Sequence, residues 1–114
     1  KNRITAAQLG NLPALAELYL FNNQLAQLHL QPLPALKLLK INENRIVKFT
    51  YAELPAVEKM YMFNNLMEHV DIYRLPRLTY MDARQNPMPD PLYEEMDKMK
   101  GVTYLHDGNA EDWQ

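Results

Sequence analysis

Asn2, Asn23, Asn44, Asn65 and Asn86 occupy every twenty-first position along a chain of 114 residues, and a fixed period of this length constrains the fold more tightly than any isolated motif. Two residues after each Asn comes an apolar side chain: Ile4, Leu25, Ile46, Met67 and Met88. The same spacing joins Leu15, Leu36, Val57 and Leu78, then Leu18, Leu39, Met60 and Met81, then Leu20, Ile41, Met62 and Ala83. A second group of columns lies between them, through Ala7, Leu28, Phe49 and Val70, through Leu9, Leu30, Tyr51 and Ile72, and through Leu12, Leu33, Leu54 and Leu75, each of these last followed by Pro.

Within each unit the apolar positions alternate over a short stretch, as in Leu18-Tyr19-Leu20 and Met60-Tyr61-Met62. That is the period of a half-buried strand. Strands one unit apart are expected to lie side by side in a parallel sheet. Pro13, Pro34, Pro55 and Pro76 offer no ladder donor, which predicts turns or short 3₁₀ segments on the return limb. A side chain that both donates and accepts, placed where the chain leaves the strand, satisfies backbone groups that the turn would otherwise bury unpaired; this is the reading of the Asn column. The doublets Asn22-Asn23 and Asn64-Asn65 read as turn chemistry beside it.

The pattern Leu-x-x-Leu-x-Leu-x-x-Asn-x-Leu fits Leu15 to Leu25, Leu36 to Ile46, Val57 to Met67 and Leu78 to Met88, so the chain resembles the leucine-rich repeat family of the short-repeat kind. The resemblance implies an α/β leucine-rich repeat solenoid, with a parallel sheet on the concave face and turns and short 3₁₀ segments on the convex face. Residues 1–89 are read as repeats, the first incomplete, and 90–114 as a C-terminal cap. Asn86-Pro87, Tyr93, Leu105 and Asp107-Gly108 resemble the landmarks of caps found in some proteins of that family. Asp90 is expected to cap a short helix over Leu92 to Met99 that Gly101 ends, followed by an edge strand around Val102 and Leu105 that lies three residues late against the 21-residue period. The missing first strand suggests a fragment of something longer, whose open first unit is expected to permit homodimerisation.

Strand residues that point away from the core are free to work. On the expected concave face these include Tyr19, Phe21, Leu38, Lys40, Lys59, Tyr61, Phe63, Tyr80, Asp82, Arg84, Tyr104 and His106. Folding does not require aromatic side chains there, and their density is that of a surface that recognises a protein or peptide, with Tyr61 and Phe63 as central anchors. Lys40, Lys59, Asp82 and Arg84 would orient the partner. A scaffold segment of a larger protein is the alternative, since aromatic pairs also stabilise strands.

Other chemistries find little purchase. Cys and Ser are both absent, which removes the usual acyl-transfer nucleophiles and thiolate metal sites, so no enzyme is expected. His29, His69 and His106 fall in different columns and suggest no metal set. Glycine occurs only at Gly10, Gly101 and Gly108, too few for a phosphate loop, and no cofactor is expected. Ten basic and seven acidic residues in 1–89, against two and seven in 90–114, give no basic stripe for nucleic acid. No run of about 18 apolar residues spans a membrane. The lack of Cys slightly favours a cytoplasmic setting and also fits secretion with a lost leader.

Overall fold

The computed structural model describes residues 6–9 and 12–107. They form an α/β fold with two parallel sheets and one helix. β1 (Ala6–Leu9), β3 (Gln27–Leu30) and β5 (Lys48–Tyr51) make a three-stranded sheet; β2 (Glu17–Tyr19), β4 (Leu38–Lys40), β6 (Lys59–Tyr61), β7 (Tyr80–Asp82) and β8 (Thr103–Leu105) make a five-stranded one. Partners from β1 to β7 keep the interval of the Asn column: Leu28 faces Phe49, Leu18 faces Leu39, and Met60 faces Met81. Each column of the sequence period is therefore a line of adjacent side chains, and the inward lines of both sheets meet in a single core that runs from Leu25 to Tyr104.

The return limb corrects one expectation. It carries a sheet, not only turns, because Leu28-x-Leu30 and Phe49-x-Tyr51 alternate as strands do and pair with the unit before. Prolines 13, 34, 55 and 76 sit in turns, and three of these close with bonds from Leu15 to Leu12, Leu36 to Leu33 and Leu78 to Leu75. Pro at the second position of such a turn has its φ already set. The three-stranded sheet stops after β5. There the Arg74 guanidinium donates to the carbonyls of Tyr51 at 3.0 Å and Ala52 at 2.8 Å, taking acceptors that a further strand would use, and Asp71 holds the same guanidinium at 2.8 Å. The Arg74 hydrogen bond keeps the Asp71 carboxyl below its usual range.

Asn44, Asn65 and Asn86 are built as the column reads, and Asn2 lies outside the described residues. The Asn44 side chain donates to the carbonyls of Leu20 at 2.9 Å and Ile41 at 3.0 Å, and its Oδ1 accepts from the backbone N–H of Asn23 and Leu25 at 3.1 Å each. Asn65 and Asn86 repeat the arrangement one and two units on. The residue before each ladder Asn is left-handed: Asn22, Glu43, Asn64 and Gln85 have φ of 60°, 58°, 62° and 59°. Asn occupies this region at lower cost than Gln. Gln85→Asn is therefore expected to raise stability by about 0.5–1 kcal/mol, read as a higher denaturation midpoint.

At the C-terminal end α1 (Asp90–Lys98) buries Leu92, Tyr93 and Met96. Asp90 does not cap it. Pro89 holds the cap position without a side-chain bond, while Asp90 and Pro91 lie in the first turn, where a negative charge and a missing N–H are both favourable. Gly101, at φ 79°, turns the chain into β8. The register of β8 is the larger correction: Tyr80 faces Thr103 and Met81 faces Tyr104, two positions later than the repeat would place them and not the expected three. Tyr104 and His106 thus continue the inward columns of Met81 and Ala83 and are only 5% and 1% exposed. The expected open first unit, and dimerisation through it, fall largely on residues 1–5, 10 and 11, outside the described residues.

Candidate functional site

On a strand the side chains alternate, so burying Leu18, Leu39, Met60 and Met81 turns Tyr19, Lys40, Tyr61 and their neighbours onto the opposite face of the five-stranded sheet. Pairing in the repeat register then places Tyr19 beside Lys40, Lys40 beside Tyr61, and Tyr61 beside Asp82. The result is a continuous row. The Lys40 ammonium lies 5.5 Å from the centre of the Tyr19 ring and 5.1 Å from that of Tyr61, within cation–π range of both. The Tyr61 ring meets the Tyr80 ring at 5.4 Å, and Tyr19 meets Phe21 edge-on at 6.3 Å.

Beside this row is a hollow of about 340 Å³ lined by Phe21, Lys40, Asn42, Glu43, Tyr61 and Phe63. Phe21 and Tyr19 are exposed, Phe63 and Tyr61 half-buried. The Asn42 amide donates to Glu43 at 3.1 Å, which holds that carboxylate at the rim. Of the lining residues, Asn42 is not among the expected contacts, and Glu43 is not expected on this face at all. Its signal was its position immediately before Asn44, where the left-handed turn sits.

The remaining candidates divide. Leu38 is half-buried and Lys59 exposed on the same face. Asp82 is on this face but 2% exposed and is taken up by Arg84, whose Nε and Nη2 donate to its two carboxylate oxygens at 2.9 and 2.6 Å. It positions Arg84 and exposes little surface of its own. That hydrogen bond raises the guanidinium above its ordinary range, and burial raises the Tyr80 phenol, with Asp82 adding to it. The Glu17 carboxylate accepts the Tyr19 hydroxyl at 2.7 Å and raises that phenol too. Both phenols therefore remain neutral at ordinary pH.

Tyr104 and His106 leave the site altogether. Burial pushes the Tyr104 phenol up to about 12. The His106 ring stacks on Tyr93 at 4.4 Å, its Nε2 is 2.9 Å from Asp97 Oδ1, and the Tyr93 hydroxyl donates to the Asn86 carbonyl at 3.1 Å. These residues fasten α1 to the end of the sheet. In their place the outward positions of the last strand are Thr103 and Leu105, of which Leu105 is buried.

A larger depression of about 580 Å³ lies elsewhere, beside the end of α1, between Tyr73, Arg77, Thr79, Met99 and Lys100. It lacks the layered rings and held cation of the sheet face. Among the described residues no three His, Asp or Glu side chains are grouped as metal ligands, and no helix is long and apolar enough to cross a membrane. No protein-family model, curated protein or solved structure matches the chain.

Proposed function

We propose that the chain is a short leucine-rich repeat solenoid whose five-stranded face binds a polypeptide partner, and that it works by recognition without a catalytic step. The regular strand register and the Asn ladder support the family reading. The binding reading rests on one observation: Tyr19, Phe21, Tyr61, Phe63 and Tyr80 all turn outward on one sheet face, around a cation held between two rings. Aromatic side chains with polar tips are the side chains that carry most binding energy at protein interfaces.

Replacing both Tyr61 and Phe63 by Ala is expected to weaken capture of the partner from an extract of the source organism by about a hundredfold or more, as loss of two anchors implies. The far-ultraviolet circular dichroism should stay that of the parent, because neither side chain is in the core. The pairing of Tyr61 with Tyr80 favours a second reading, a scaffold segment whose rings only brace the sheet. Under that reading the double variant melts earlier and the set of captured proteins does not change.

A further inference from the structure

We infer that the hollow beside Lys40 is a pocket for one side-chain carboxylate of an extended peptide, with an apolar side chain of the same peptide, two positions away, seated between Phe21 and Phe63. This rests on the peptide-binding reading of the same face. Lys40 is half-buried, and the two rings that flank its ammonium stabilise the charge and fix the side chain before any ligand arrives. It has no carboxylate partner among the described residues, where the ion pairs are Arg74 with Asp71, Arg84 with Asp82, Lys98 with Glu95, and His106 with Asp97. The other charges nearby are already engaged: Arg84 by Asp82, Glu17 by Tyr19, Glu43 by Asn42. Lys59 is also unpaired among the described residues, but it is exposed and no ring holds it.

The geometry selects among anions. Glu43 lines the same hollow and repels added negative charge, so a singly charged carboxylate is penalised less than a phosphate group or a run of acids. Lys40 ends β4 and Asn42 lies two residues on, where the bonds from Ile41 to Tyr61 and from Glu43 to Phe63 continue the pairing, a pitch of about 6–7 Å that is also the distance between alternate side chains of an extended peptide. A peptide lying along the strands places an acid over Lys40 and its neighbour-but-one over the Phe21 and Phe63 rings.

The test begins with a random-peptide phage library panned on the full chain, followed by calorimetric titration of the enriched peptides. Enrichment of Asp or Glu two positions from an aromatic or aliphatic residue is expected. Lys40→Met should weaken these peptides by at least about tenfold, Lys48→Met, an exposed lysine on the other sheet, by less than about twofold, and salt should weaken the parent complex. Changing the peptide's acid to its amide should cost the parent the same factor and cost Lys40→Met nothing more, because the two changes remove one interaction. Enriched peptides without an acid, or unchanged affinity in Lys40→Met while the Tyr61/Phe63 double variant loses binding, overturn the carboxylate pocket and leave the peptide-binding face standing. Absence of any enriched peptide, or peptides indifferent to both sets of changes, overturns both.

Discussion

Asn65→Ala loses about 2–3 kcal/mol of stability in urea or guanidinium titrations, and Asn65→Asp loses more at neutral pH than near pH 4. The side chain is 4% exposed. Its Oδ1 accepts from the Ile46 N–H at 3.0 Å, and its Nδ2 donates to the carbonyls of Ile41 and Met62 at 3.0 and 3.1 Å. Removing it does not orphan all three. Ile41 keeps the bond from Asn44 and Met62 that from Asn86, both at 3.0 Å. Only the Ile46 N–H is left buried without a partner, at a cost of about 1–3 kcal/mol, and two carbonyls fall from two bonds to one.

Asp in the same place keeps the acceptor but puts carboxylate oxygens against those two carbonyls. Burial and repulsion favour the neutral acid, so its folded pKa is raised above the unfolded value near 3.9. A raised pKa gives stability that is present below the unfolded pKa and lost as pH rises through the folded one; Asn65→Asp should therefore recover on acidification while Asn65→Ala does not. Asn23→Ala provides the internal control. Its Nδ2 donates to the Leu20 carbonyl at 3.1 Å, but its Oδ1 is buried without a partner among the described residues. A loss near 1 kcal/mol, about what one such bond contributes, is expected there. Equal losses at positions 23 and 65 would mean that the ladder does not carry the difference.

The same ladder marks how far the sequence could be read. The recurrence of Asn and Leu at one fixed interval sets the offset between neighbouring strands, and with it which side chains of Glu17–Tyr19 through Tyr80–Asp82 face outward. The second sheet was present in the same columns, since Leu28 with Leu30 and Phe49 with Tyr51 are spaced by two, but the adjacent prolines drew attention to turns. Tyr104 and His106 were misplaced for a different reason. The strand expected around Val102 and Leu105 sits three residues late against the period, the observed one two residues late, and a slip of one residue sends every side chain of a strand to the other face.

Polar character also misled. His106 is polar enough to suggest a surface, yet it is buried because α1 brings Asp97 to one ring nitrogen and Tyr93 to one ring face. Asp82 is buried in the same way under Arg84, its neighbour-but-one. Those partnerships depend on rotamers that a one-dimensional pattern does not specify. Lys40 between Tyr19 and Tyr61 is the converse case: the repeat offset alone places the three side by side.

Leu39→Ala should cost about 2–5 kcal/mol, and Leu18→Ala, one strand away in the same column, less than half as much. Leu39 is fully buried between Leu18 and Met60, and the atoms around it cannot close the space without moving two strands. Leu18 is only partly buried in β2, which pairs with one strand of the sheet, so truncation there removes contacts without enclosing a void. Denaturation midpoints of the two variants measure the difference, and equal costs would show that the core does not tighten away from that edge. The proposed binding face inherits the result. Leu39 precedes Lys40 and Met60 precedes Tyr61, so the same backbone that is pinned from within by these two side chains holds the cation between its rings from without. Leu39→Ala should therefore weaken any ligand that depends on Lys40 even though Leu39 never touches it, while Leu18→Ala, acting at the sheet's edge, should leave the Lys40–Tyr61 contact and its ligand largely intact.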